Sequence, residues 1–201
     1  MRFQNRVLVG MASAFALAAT AAASIGPAAV TLADNDRDTT EHRTVRADRV
    51  NLQLTPSSAQ LGQCMPNADV DVDVRLTTDE LGFDIFDITA RHIAPDRDYT
   101  VFLLEQAGSP FGAAEYIGDL STNDEGNGHA EFRLIVQEAF SSTLVDGKRV
   151  RVDLNRVGMW FADPKDDEFC LPGSGPTPFD GDNEAGVQAF NSANADPLPL
   201  P

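Results

Sequence analysis

Alternation of apolar and polar residues is the strongest pattern along the chain. Between residues 69 and 76, four apolar side chains share one face, while three aspartates and an arginine share the other: Val70, Val72, Val74, Leu76, then Asp69, Asp71, Asp73, Arg75. This period of two predicts a half-buried β-strand. A helix would scatter the four apolar side chains around its circumference.

Further short strands are predicted along the chain, and tight turns separate them. The predicted strands cover residues 83–93, 100–105, 116–120, 130–136 and 149–154, with 157–161 as a continuation or a further strand. Turns are predicted at 121–128 and at Asp146-Gly147, where the residue types accept positive φ. No stretch between residues 49 and 170 has the pattern of a long amphipathic helix. Such spacing is typical of an all-β sandwich or barrel.

From these elements we expect a single antiparallel β-sandwich, immunoglobulin-like in general build, over residues 49–170. Residues 171–201 are rich in proline, glycine and acids, which predicts an irregular C-terminal segment that wraps the domain. One helical turn is expected there, near residues 185–191.

The first 33 residues have the features of a secretory signal peptide. Arg2 and Arg6 precede an apolar, alanine-rich run, and small residues suited to cleavage follow. Cleavage is expected after Ala23 or Ala33, and the alternative is an uncleaved membrane anchor. Residues 34–48 are almost entirely polar or charged, which predicts a flexible acidic leader. The sequence therefore predicts a secreted, extracellular protein without a stable membrane anchor after cleavage.

Charge excludes one class of partner. The 201 residues carry 15 Lys and Arg against 31 Asp and Glu, a net charge of −16, which becomes −18 when residues 1–33 are removed. A phosphate backbone would be repelled, so nucleic acid is not expected as a partner. The hydrophobic fraction of 42% is too high for a fully disordered chain. No particular ligand or partner follows from these numbers.

The two cysteines, Cys64 and Cys170, flank the predicted strand region. In the oxidising compartment that the export signal implies, they are expected to form a disulfide. The chain-entropy model gives roughly 4–5 kcal/mol for closing a loop of that length. Two free thiols are the alternative.

Metal sites are the other chemistry considered. Asp180, Asp182 and Glu184 have the alternate spacing of calcium loops, but Ala185 and Asn191 stand where a turn glycine and a bidentate glutamate belong. Two of the three aspartates at 69–73 could share one calcium ion. His92 and His129 lack the spacing of zinc ligands. We therefore expect no cofactor, with weak calcium binding at 180–184 as the exception.

The stretch Ile93-Ala-Pro95-Asp-Arg-Asp-Tyr99-Thr-Val101-Phe-Leu103 resembles the approach to a late strand of fibronectin type III domains. The resemblance implies a tyrosine corner, in which the Tyr99 ring is buried, its hydroxyl bonds backbone upstream, and Pro95 stiffens the bend. The whole chain also resembles small secreted proteins of high-GC Gram-positive bacteria, which supports location and fold and implies no activity.

Two functions from different classes follow. The first is a non-enzymatic extracellular domain, a binding or structural module, whose exposed patch is expected around Trp160 and Phe161 or in the loop 108–112 with Phe111. The second is a secreted hydrolase that uses carboxylates, with or without calcium. The sequence identifies no catalytic residue for it. An enzyme needs polar groups converging in a concave site, whereas a binding module needs an exposed patch.

Overall fold

A computed structural model describes residues 49–136, 139–177 and 185–198 of the protein. The expected signal peptide at 1–33 and leader at 34–48 lie outside the described residues, as do Asp180, Asp182 and Glu184. The described part is dominated by antiparallel strands, which confirms the all-β class.

Ten strands and two short helices make up the described chain. In order they are β1 Arg49–Pro56, α1 Ala59–Cys64, β2 Asp69–Arg75, α2 Thr78–Leu81, β3 Asp84–Arg91, β4 Asp98–Leu104, β5 Ala114–Ser121, β6 Gly128–Leu134, β7 Phe140–Val145, β8 Lys148–Asp153, β9 Arg156–Phe161 and β10 Gln188–Asn191. Eight strands form one sheet in the order β5-β4-β9-β10-β1-β2-β3-β6, and β7 pairs only with β8.

Strand β1 joins the two halves of the large sheet. Its first six residues pair with β2, and Thr55 and Pro56 pair with β10. The inner faces of both halves contribute to one hydrophobic core, with Val72 and Ile88 on one side and Val101 and Met159 on the other. The two outermost strands of the sheet, β5 and β6, are also in contact. Gly118 of β5 lies so close to the Phe132 ring of β6 that a Cβ atom at position 118 would overlap the ring.

Strand β10 differs from the expectation for the C-terminal segment. Residues 185–191 do not form a helical turn: Gln188–Asn191 is a strand between β9 and β1. Its Ala189 and Phe190 are both fully buried. Adjacent side chains in a strand point to opposite faces, so both faces of β10 are covered and its sequence shows no period of two. The large sheet therefore includes a strand from beyond residue 170.

The disulfide between Cys64 and Cys170 is formed, with an S–S distance of 2.12 Å and a Cα–Cα distance of 5.9 Å. It connects the end of α1 with the segment after β9, across 106 residues. The Gln60 side chain strengthens the same junction by donating to the Cys170 carbonyl at 2.8 Å. A disulfide of this kind indicates an oxidising compartment.

Candidate functional site

The β7–β8 hairpin leaves apolar side chains in solvent. Phe140, Leu144, Val145 and Val150 are 51%, 65%, 51% and 42% exposed. The two strands pair through Phe140↔Asp153 to Val145↔Lys148, and Asp146 and Gly147 form the turn with φ of 50° and 76°. Positive φ at both central residues matches the turn that the sequence predicted, and it suits the twist of a two-residue hairpin.

The hairpin has two chemically different faces, because directly paired residues share a face. The arginine face carries Phe140, Ser142, Leu144, Arg149, Arg151 and Asp153, and the valine face carries Ser141, Thr143, Val145, Lys148, Val150 and Val152. Arg151 stacks over the Phe140 ring at 4.2 Å and donates to Asp153 at 2.9 Å. Arg149 donates to the Ser142 hydroxyl at 2.9 Å.

The hairpin also reverses the charge of the chain locally. It has three cations against two carboxylates, so the total of −16 consists of +1 here and −17 elsewhere. Among the described residues, no carboxylate pairs with Lys148 or Arg149, whereas Arg49, Arg75, Arg91 and Arg97 of the sheet region all have acidic partners. We call Leu144, Val145, Lys148 and Arg149 the hairpin tip, where exposed apolar groups and these two cations meet.

One of the two patches that the sequence favoured for binding is not exposed. Trp160 and Phe161 are 1% and 0% exposed, so their expected role as a surface patch is wrong. The Trp160 ring lies on the outer side of β9, where Phe102 and Leu104 pack with it and Phe111 packs at 5.0 Å. The loop 105–113, which has a cis Ser109–Pro110 bond, places Phe111 against Trp160. We call Phe102, Leu104, Phe111 and Trp160 the second cluster.

The aspartates of β2 are held by arginines. Arg91 contacts Asp69 at 3.1 Å and Asp71 at 3.3 Å, while Arg49 pairs with Asp73. Each of the three aspartates therefore has an arginine against one of its carboxylate oxygens. No group of three or more His, Cys, Asp or Glu side chains is placed to hold a metal ion within 49–136, 139–177 and 185–198. The calcium prediction for 180–184 falls outside those ranges and stays a prediction.

His92 and His129 line the same open depression, with Thr89, Arg91 and Asn127 among its other walls. A His129 ring nitrogen lies 2.8 Å from Asp87, and the backbone amide of His92 donates to Asn127 at 3.4 Å. An imidazole beside a carboxylate can move a proton, but within the described chain the His129 ring forms no hydrogen bond with a hydroxyl or a thiol that it could activate.

Two buried carboxylates escaped the sequence analysis, and both organise loops. Asp84 accepts bonds from the amides of Thr77 and Thr78 at 2.9 and 3.0 Å, from the Thr78 hydroxyl at 2.7 Å and from the Val136 amide at 2.9 Å. Asp167 accepts from the Ser174 hydroxyl and the Val187 amide. An aspartate at a strand start looks like any surface acid, so the sequence contains no signal for this role.

Near Asp167, Asp166 lies 3.4 Å from Arg97. The pKa of Asp166 is raised, mainly because partial burial disfavours its charge. The neighbouring acids Asp163 and Asp98 raise it further, and Arg97 opposes them.

Tyr99 is fully buried, as expected, with its ring 5.0 Å from that of Phe161. Its hydroxyl lies against the Ala94 backbone, upstream as the tyrosine corner requires, but no partner within the described chain meets full hydrogen-bond geometry. Burial raises the pKa of Tyr99, and the nearby Ala94 backbone offsets this only in part. Pro95 is exposed in the bend. The Thr122 hydroxyl holds that bend by donating to the Ala94 carbonyl at 2.8 Å.

Comparison with known proteins finds no matching family model, no matching curated protein and no matching solved structure. Among the described residues, no helix is long and apolar enough to cross a membrane. The hairpin tip is therefore the candidate functional site on its own geometry. The signal that could have found it is Lys148-Arg149-x-Arg151, a cationic run in an acidic chain.

Proposed function

We propose that the protein is a secreted, non-enzymatic extracellular domain that works by docking another molecule through its β7–β8 hairpin. The observation that carries the proposal is the hairpin tip, where Leu144 and Val145 are more than half exposed beside two cations without acidic partners among the described residues. Exposed apolar groups that cluster on one element mark interaction sites more often than scattered ones do. The disulfide supports an extracellular location.

Export is tested by N-terminal sequencing of the protein recovered outside the producing cells. The expected N-terminus is Ser24 or Asp34, which follow the two candidate cleavage positions. Recovery of the protein only inside the cells, with Met1 intact, would contradict secretion.

Docking is tested with a photo-crosslinking amino acid at position 144 in the exported protein. Tyr116, 54% exposed on β5, provides a control position of similar exposure outside the hairpin. We expect a discrete crosslinked product from position 144, visible as a shifted band on a denaturing gel, and none from position 116. Equal yields from both positions, or none from either, would remove the docking proposal.

The carboxylate-hydrolase alternative stays a prediction of the sequence. None of the contacts in the described chain favours it over docking, and it is not developed further.

A further inference from the structure

The charge and polarity of the hairpin tip define the chemistry of its partner. Its two cations are complementary to carboxylates or other anions, and its two apolar side chains are complementary to an apolar group beside those anions. The tip is convex, because it is the end of a projecting two-stranded element, so the complementary surface must be open rather than a deep groove. An exposed apolar residue flanked by free carboxylates would satisfy all three conditions.

Such a surface exists on the protein itself, at helix α2. Leu81 is 53% exposed, and Asp79 and Glu80 precede it on the same exposed turn. No cation pairs with Asp79 or Glu80 among the described residues, in contrast to Asp69, Asp71 and Asp73 of β2. We call Asp79, Glu80 and Leu81 the α2 corner. It matches the hairpin tip in charge and polarity.

Two other exposed residues of the sheet region, Tyr116 and Phe169, match the tip less well. The Tyr116 hydroxyl donates to the neighbouring Asp119, and the Phe169 ring packs against Phe161. At the α2 corner, an exposed aliphatic side chain adjoins two carboxylates that have no cationic partner in the part of the chain that is described.

We propose, on the basis of the docking function above, that the partner of the hairpin tip is the α2 corner of a second copy of this chain. The α2 corner lies close to the root of the hairpin, since the Asp84 carboxylate bonds both the start of α2 and Val136, four residues before β7. Two copies can therefore engage reciprocally, with each tip on the other's corner. A closed dimer with two identical contacts follows, as expected of a two-fold interface.

Net repulsion between two strongly acidic molecules does not forbid this contact. At physiological ionic strength the Debye length is about 8 Å, so charges on distant parts of the two bodies are largely screened. Cations and carboxylates that touch are screened much less. Local complementarity therefore decides the orientation, and the acidic remainder disfavours other contacts.

The experiment measures the oligomeric state of the purified exported protein by sedimentation equilibrium at 0.15 M salt, up to about 200 µM. The test variant Lys148→Glu with Arg149→Glu reverses the tip, and Asp79→Lys with Glu80→Lys reverses the corner. A control with Arg91→Glu and Lys165→Glu makes the same change in net charge as the tip variant, but Arg91 lies at the end of β3 opposite to α2 and Lys165 lies after β9.

We expect a reversible dimer of the wild-type protein. Each reversal should weaken it by about 30-fold, because four exposed ion pairs are lost in the two contacts. The chain that carries both reversals keeps the wild-type net charge and should dimerise again, and the control should behave as the wild type does. Since all these positions are exposed, circular dichroism should show the same fold throughout.

A monomeric wild type at 200 µM, a tip variant that dimerises normally, or a double reversal that stays monomeric would overturn the second-copy proposal. These outcomes separate it from the docking function. If position 144 crosslinks to a different molecule, such as an anionic lipid or another protein, while the chain is monomeric, only the partner is wrong. If position 144 forms no crosslinked product, the docking function itself is contradicted.

Discussion

The β4–β9 region and the β7–β8 hairpin are both antiparallel strand pairs, yet one is covered on both faces and the other on neither. In the first, Leu103 and Met159 face the main core while Leu104 and Trp160 face the second cluster, and all four are buried. In the hairpin, Leu144 and Val150 are exposed although they belong to opposite faces.

This difference shows that strand pairing and stability are separate properties. Backbone hydrogen bonds are present in both regions, but a two-stranded hairpin alone is marginally stable in water, and burial of a hydrophobic face is what adds stability. The covered region is therefore expected to hold the domain together, and the hairpin to be free for contact with other molecules.

The largest effect should come from emptying the second cluster. Trp160→Ala removes the largest fully buried side chain of the β4–β9 region and should lower the free energy of unfolding by about 3–5 kcal/mol. Leu144→Ala in the hairpin, the matched control, should change it by less than about 0.5 kcal/mol. Urea unfolding monitored by far-UV circular dichroism, a signal that does not depend on the removed tryptophan, measures both free energies. Similar losses in the two variants would contradict the contrast between the regions.

An intermediate effect is expected at the carboxylate that links α2 to the root of the hairpin. Asp84→Asn replaces an anion that accepts four bonds, three on one oxygen and one on the other, by an amide with one acceptor oxygen, which leaves at least one buried donor unsatisfied. We expect a loss of about 1–3 kcal/mol. Hydrogen exchange should speed up first at residues 77–78 and 136. Asp79→Asn, exposed on the same turn, is the control and should have no such effect.

A small effect of unusual sign is expected for Tyr99→Phe. A tyrosine corner with a bonded hydroxyl predicts a loss of about 1 kcal/mol. The Tyr99 hydroxyl, however, is buried without a partner among the described residues, so its removal should be neutral or slightly stabilising. A thermal or urea midpoint clearly below that of the wild type would show that the hydroxyl does find a partner.

Calcium should have the smallest effect of all. The β2 aspartates are paired with arginines, and the loop at 180–184 lacks two features of a calcium loop. Thermal unfolding with EDTA and with about 0.1 mM calcium, at constant ionic strength, should give the same midpoint. A shift of several degrees that disappears in the Asp180→Asn, Asp182→Asn variant would establish the site.

Alternation predicted most of the strands, although β1 and β7 were not among them, and it did not predict which strands would be covered. Residues 69–76 and 149–154 have the same pattern, yet Val72 is fully buried and Val150 is 42% exposed. The period of two reports only that one face differs from the other. What covers that face depends on contacts between residues that are far apart in the sequence. A local pattern contains no information about those contacts.

At β10 a strand was missed, and at Trp160 and Phe161 a surface patch was expected where the side chains are buried. Gln188–Asn191 is too short and too evenly buried for alternation, so its strand was missed. The aromatic residues Trp160 and Phe161 suggested a binding patch, but large aromatic side chains are buried more often than they are displayed. The charge reversal at Lys148-Arg149-x-Arg151 was visible in the sequence, and it lies in the hairpin that we propose as the docking site.

The central position of β10 has a consequence for how the chain is made. β1 is among the first described segments to be synthesised and β10 is the last, yet Thr55 pairs with Asn191 and Gly158 pairs with Asn191 from the other side. Before residue 191 emerges, β1 and β9 each have an open edge that nothing else in the sheet fills. A chain cut short during synthesis would keep those edges, which attract other strands. The gap between β1 and β9 is therefore filled only in a chain that extends at least through residue 191.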